Sequence, residues 1–195
     1  MGIINATPDS FSDGAQLQRS GADSFKIDID KALSRAEAMV ADGATFIDVG
    51  GESTRPGAAT VSEQEELDRV IPIIKAISRR LDVCISVDTS SPTVMREAIN
   101  CGAELINDVR ALLSPGSTEA LIASKAAVCL MHMQGKPGTM QKNASQTSYE
   151  SVVEEVFEFL RARVEHCLGQ GIQRSRLLID PGFGFGKTVQ HNYLL

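Results

Sequence analysis

Six short apolar runs in this 195-residue chain each end on an Asn, Asp or His, and that recurrence restricts the fold more than any single motif. The runs are Met1-Gly2-Ile3-Ile4 before Asn5, Thr45-Phe46-Ile47 before Asp48, Val83 to Val87 before Asp88, Glu104-Leu105-Ile106 before Asn107-Asp108, Ala127 to Met131 before His132, and Arg176 to Ile179 before Asp180. Polar residues at one end only of buried strands define a shared rim. In a parallel sheet with crossover helices that rim collects the side chains that handle a ligand, because packing residues fill the strand interiors.

Helix-like stretches separate the runs, giving a βα alternation with a spacing of roughly 30 residues. Asp28 to Asp42 reads as a helix closed by Gly43. Ser62-x-x-Glu65 reads as a capping box opening a helix with Leu67, Val70, Ile71, Ile74 and Ile77 on one face, and Pro72 is expected to bend or split it. Ser91-Pro92 and Ser114-Pro115 each read as an N-cap followed by proline at the first helical position. The longest helix is expected from about Tyr149 to Leu168, with Val152, Val153, Val156, Leu160, Val164 and Cys167 inward. Gly43-Ala44-Thr45-Phe46-Ile47-Asp48 recurs as Gly102-Ala103-Glu104-Leu105-Ile106-Asn107, as like units of a barrel would. Six strands, five full helices and a sixth helix starting near Thr188 fall short of a closed eight-stranded barrel, which takes about 250 residues. The expected fold is therefore α/β, a (β/α)8 TIM barrel, incomplete and forming one partial domain over residues 1–195.

With 43% apolar residues the chain can bury a core, and no apolar run approaches the roughly 20 residues of a membrane span. A net charge of -6 without clustered Lys and Arg argues against a nucleic-acid partner. Cys84, Cys101, Cys129 and Cys167 form no Cys-x-x-Cys pair and read as reduced core thiols, and the first residues lack a signal-peptide pattern, so a cytoplasmic location is expected.

The loops after the runs carry the chemistry. Thr7-Pro8-Asp9-Ser10-Phe11-Ser12-Asp13-Gly14 opens a long polar segment that suits a binding loop or lid. Gly50-Gly51-Glu52-Ser53-Thr54-Arg55-Pro56-Gly57 offers backbone freedom, hydroxyls and a cation suited to carboxylate or phosphate. Gly186-Lys187-Thr188 is not a phosphate loop, because the earlier glycine that motif needs is replaced by Pro181. Its glycines suit close backbone approach, with Phe183 and Phe185 supplying ring contacts. His132 reads as a hydrogen-bonded structural residue, and Met131 as an apolar wall. Asp88, Asn107 and Asp180 then form an acceptor-rich set around a cup, with Asp180 a buried acceptor at its floor. A flat heterocycle with several N–H donors, guanine-like or pterin-like, matches that set.

These segments, together with Leu130-Met131-His132-Met133-Gln134-Gly135 and Asp180-Pro181-Gly182-Phe183-Gly184-Phe185-Gly186-Lys187, resemble the dihydropteroate synthase family over essentially the whole chain. The resemblance implies condensation of 6-hydroxymethyl-7,8-dihydropterin diphosphate with p-aminobenzoate, releasing pyrophosphate in the presence of Mg2+, in folate biosynthesis. It implies that Asp88, Asn107, Met131 and Asp180 hold the pterin, with Asp88 foremost and Asp180 beside it as the catalytic carboxylates. Asn5 is implied for the pyrophosphate and metal, and Thr54, Arg55, Pro56, Phe11 and Phe185 for the aminobenzoate site where sulfonamides compete. A homodimer is implied for the full-length protein. Two departures stand out. The segment from Ala15 to Lys26 is longer than usual in the first loop, and the family's seventh and eighth strands, with their Ser-Arg-Lys and Arg-x-His segments, have no counterpart before Leu195. A partial sequence is therefore expected, inactive alone and with the edges of the first and sixth strands exposed. The competing readings are a non-catalytic pterin-binding remnant and a pterin-dependent methyltransferase barrel.

Overall fold

The computed structural model describes residues 1–7, 27–52, 61–135 and 149–195. All six apolar runs form strands: β1 (Gly2–Asn5), β2 (Phe46–Gly50), β3 (Cys84–Asp88), β4 (Leu105–Asp108), β5 (Ala127–Met131) and β6 (Leu177–Asp180). They pair in parallel and in chain order. The helices between them are α1 (Ile29–Ala41), α2 (Glu63–Arg80), α3 (Pro92–Asn100), α4 (Ser117–Ile122) and α5 (Val152–Gly169), and α6 (Val189–Leu194) follows β6.

Register and the two-residue period of strands divide every side chain between two faces. Ile4, Val49, Val87, Ile106 and Val128 are successive cross-strand partners, and all are fully buried with helix residues such as Ala36, Val70, Ile74 and Ala98. The partners on the other face run Asn5, Gly50, Asp88, Asn107 and Cys129, with Met131 opposite Asp180. The helix side is thus the hydrocarbon core, and the concave side is polar. β1 and β6 end the sheet, and the exposure expected at those edges is found: Ile3 is 50% and Ile179 60% exposed.

Several helix expectations need correction. Pro72 neither splits nor ends α2, which runs unbroken from Glu63 to Arg80. The carbonyl that loses its donor belongs to exposed Asp68, where water can serve. Ser62 caps that helix by accepting from Glu65 N, but the Glu65 carboxylate turns to Arg69 and does not complete a box. The buried face of α2 is Glu66, Arg69, Val70, Ile73, Ile74 and Ile77, leaving Leu67 and Ile71 only half-buried. Ser91-Pro92 opens α3 as expected, whereas Ser114-Pro115 forms a turn and α4 starts after left-handed Gly116. α5 begins at Val152, three residues after Tyr149, and Val153, about 100° around the helix from Val152, is 47% exposed. All four cysteines are free thiols, although only Cys167 is fully buried. No helix among the described residues is long and apolar enough to cross a membrane.

Candidate active site at the strand ends

Parallel register brings Asn5, Gly50, Asp88 and Asn107 to one level at the carboxyl ends of β1 to β4, and places Met131 beside Asp180 at the ends of β5 and β6. Asp88, Asn107 and Asp180 therefore stand along one rim of one sheet. Asn107 Nδ2 donates to Asp48 Oδ2 at 3.2 Å, although the cross-strand pairs set Asp48 level with Ser86 and Ile3. β2 and β4 are alternate strands, and alternate strands supply one layer of side chains inside such a barrel. Asp48 thus belongs with this group, a residue that sequence reasoning left out of its candidate set. The signal was present: it occupies in the second run the place that Asn107 takes in the repeat.

The rim is strongly acidic. Asp88 is raised well above the ordinary carboxylate range, first by burial and then by Asp48, Asp108, Glu66 and Glu52. Asp48 is raised by burial, offset by the hydrogen bond from Asn107. Its Oδ1 and the Ser86 hydroxyl are buried with no hydrogen-bond partner among the described residues. Glu66, on α2 behind Gly51, is pushed up to about 7 by burial, with Thr89 and Arg110 pulling it down and Glu52 and Glu63 pushing it up. Arg110 supplies a counter-charge 3.7 Å from Glu52. Such a surface attracts N–H donors and positive charge.

Asp108, next to Asn107, faces the opposite way. Fully buried, it accepts from Ser90 Oγ (2.5 Å), Arg110 N (2.9 Å) and Leu112 N (2.7 Å). Those bonds hold a turn in which Ala111 and Leu112 are both left-handed, and Arg163 on α5 donates to the carbonyls of the same two residues. Two consecutive non-glycine residues at positive φ are costly and persist only when clamped from both sides.

At β5 and β6, Met131 and His132 are both buried. Burial first, then Lys187, lowers the imidazole to about 4, and its ring meets Phe159 edge-on at 5.0 Å. Asp180 is a correction: it is half-buried rather than buried, because β6 has no strand on its outer side among the described residues. Its Oδ1 accepts from Gly182 N at 2.7 Å. Phe185 is half-buried and Phe183 exposed. Phe11, Thr54, Arg55 and Pro56 lie outside the described residues.

Two of the glycines after β6, Gly182 and Gly186, are required by contact. A Cβ on Gly182 would stand 2.0 Å from the His132 carbonyl oxygen, and φ there is +70°. Gly182→Ala is expected to destabilise the protein by at least ~2 kcal/mol, from backbone strain plus forced separation of the two loops. Chemical denaturation measures this, and a loss within about 0.5 kcal/mol would mean that the loops are not in contact.

A parallel βα sheet whose concave face carries acids and amides at the strand ends defines a ligand-binding α/β barrel rather than a purely structural one. The family model described as pterin binding enzyme matches residues 1–195, and the chain belongs to that family. It is 53% identical over all 195 residues to the dihydropteroate synthase of Haemophilus influenzae and spans 66% of that relative's length. Among solved structures it resembles the Yersinia pestis dihydropteroate synthase in a sulfonamide drug complex, with 50% identity, a TM-score of 0.90, and coverage of 100% of this chain and 66% of that one. It also resembles the Xanthomonas albilineans synthase with 4-aminobenzoic acid, at 44% identity, a TM-score of 0.85, and coverage of 100% and 65%. The six strands and their helices are an incomplete TIM barrel of this family.

Proposed function

We propose that the whole protein is a dihydropteroate synthase, joining p-aminobenzoate to the methylene carbon of 6-hydroxymethyl-7,8-dihydropterin diphosphate and releasing pyrophosphate. The observation that carries this reading is the acceptor-rich rim of Asp48, Asp88, Asn107 and Asp180 beside the apolar wall of Met131. A pterin presents several ring N–H groups in one plane, and each hydrogen bond to a charged acceptor contributes about 1.5 to 3 kcal/mol. Asp88 and Asn107 at one level, with Asp180 beyond Met131, give such a ring acceptors along more than one edge.

The same carboxylates suit the reaction. The bond from methylene carbon to diphosphate oxygen breaks first, leaving positive charge that spreads into the pterin. The aminobenzoate nitrogen then bonds to that carbon and gives up a proton. Asp88, with Asp180, stabilises the charge as it develops, so no protein nucleophile is needed. Asn5 is the one assigned oxygen donor for Mg2+. Among the described residues no group of three or more His, Cys, Asp or Glu could hold a metal. Mg2+ commonly keeps one or two protein oxygens with substrate phosphates and water, so this donor set fits a metal that arrives with the diphosphate. When bound, it supplies charge for the departing pyrophosphate. Thr54, Arg55, Pro56, Phe11 and Phe185 shape the aminobenzoate site, where sulfonamides compete. The full-length protein works as a homodimer in the cytoplasm.

The test is pyrophosphate release from the dihydropterin diphosphate by the whole protein. Release that requires Mg2+ and rises with p-aminobenzoate supports the synthase, whereas binding without release returns the non-catalytic reading. Replacing Arg55 by Ala is expected to raise the KM for p-aminobenzoate by at least about tenfold while shifting pterin affinity less than about threefold. Equal losses for both ligands would remove Arg55 from the aminobenzoate site.

A further inference from the structure

Lys187 ends the glycine-rich loop after β6 and is only 3% exposed, a rare place for an ammonium group. Its Nζ donates to the carbonyl oxygens of Gly182 (2.9 Å), His132 (3.2 Å) and Phe185 (3.3 Å), and stands 3.0 Å from His132 Nδ1. An ammonium carries three protons, and these acceptors occupy all of them, so nothing remains for a ligand. The neutral state of His132 leaves its Nδ1 lone pair available to the same group. The phosphate-loop reading of Gly186-Lys187-Thr188, rejected on spacing, fails on geometry as well.

The position of this cation is informative. It joins two loops whose backbones touch: Gly182 against the His132 carbonyl, and Gly186 against the Gln134 carbonyl, each too close to admit a side chain. Gly182 is the central link. Its carbonyl accepts from Lys187, and its N–H donates to Asp180 Oδ1. The His132 N–H in turn donates to the Asp180 carbonyl at 2.9 Å. Asp180 is therefore tied at its backbone to the β5 loop and at its carboxylate to the N–H of Gly182, the residue whose carbonyl Lys187 anchors. Losing the ammonium would take a donor from the His132 and Phe185 carbonyls and leave the Gly182 carbonyl with the Phe185 N–H (3.1 Å), loosening Gly182 and with it the N–H that fixes the Asp180 rotamer.

We propose that Lys187 is a positioning residue of the ring pocket, clamping the loop after β6 onto the loop after β5 and orienting Asp180 through Gly182 without touching the ligand. The clamp stands on the geometry alone, while its effect on a pterin rests on the function proposed above.

The test uses the whole protein with Lys187→Met, Asp180→Asn and the double variant, followed by amide hydrogen exchange and by calorimetry with pterin itself. In Lys187→Met, exchange at Gly182 should speed up by at least about tenfold while α1 to α3 stay protected. Pterin affinity should fall about tenfold in each single variant and little further in the double, because both changes remove one oriented carboxylate. Where Lys187→Met does not fold, Lys187→Arg enters the same cycle, with smaller shifts at the same amides. Unchanged protection at Gly182, or losses that simply add, would overturn the clamp. Absence of pterin binding by the unmodified protein would instead defeat the pterin reading, and exchange at Gly182 would still decide the role of Lys187.

Discussion

Asp88→Asn is expected to lower turnover of the whole enzyme by roughly 100- to 1000-fold, the usual effect of deleting one preorganised charge-stabilising group, while its thermal midpoint at about pH 8 is no lower than that of the unmodified protein. The two halves of this expectation share a cause. Asp88 is surrounded by Asp48, Asp108, Glu66 and Glu52, and burial with these like charges opposes its ionisation. Folding therefore gains nothing from this carboxylate as an anion, and the amide substitutes for it at no structural cost. A cation forming beside it meets a group whose negative charge had been disfavoured for want of a partner, so the stabilisation is larger in the transition state than in the empty site. Steady-state kinetics and a thermal scan measure the two quantities. A variant that loses stability in step with activity would show Asp88 to be a packing residue, and one that keeps turnover within about threefold would end its catalytic assignment.

The strands and their shared rim were legible because a two-residue period and a terminal polar residue are local facts of sequence. The sorting of neighbours needs the structure: with Ile106 facing the helices, Asn107 faces the cup and Asp108, which as a sequence reads as a rim acid, returns to the core. What sequence could not give was the tertiary partner of each polar group. Asp108 looked like a rim acid, and only the left-handed turn at Ala111 and Leu112 explains why an acid is needed there to gather backbone N–H groups. Asp48 ends its run like the others, but its partner does not show in the linear order: strand stagger brings it to Asn107. Lys187 reads in the sequence only as half of a motif that fails, since a run of glycines does not reveal which backbone it will touch. The extent of α2 through Pro72 is hidden for a related reason: proline removes one bond, and the packing of Val70, Ile73, Ile74 and Ile77 outweighs it.

Glu66→Gln is expected to stabilise the protein by up to roughly 3 kcal/mol at about pH 8, and to flatten the dependence of its stability on pH between about 5 and 7. Glu66 is 94% shielded from solvent, and one carboxylate oxygen has no hydrogen-bond partner among the described residues. Burial lifts the group from 4.5 to about 7, which means that the folded state resists its ionisation while the unfolded chain ionises it near the ordinary value. The contribution of a raised acid is complete below the unfolded pKa and is lost as pH rises through the folded one, so unmodified protein should weaken across that interval. A glutamine cannot ionise and can still accept from Thr89. Some slope must persist in the variant, because Asp48, Asp88 and Asp108 are also raised. Denaturant unfolding at about pH 5, 6, 7 and 8 gives the two curves, and curves that run parallel would mean that Glu66 ionises as readily in the fold as outside it. The change reaches the rim as well. Glu66 is one of the charges that oppose ionisation of Asp88, so its neutralisation should let Asp88 become an anion at lower pH, linking the stability of α2 to the charge presented at the end of β3.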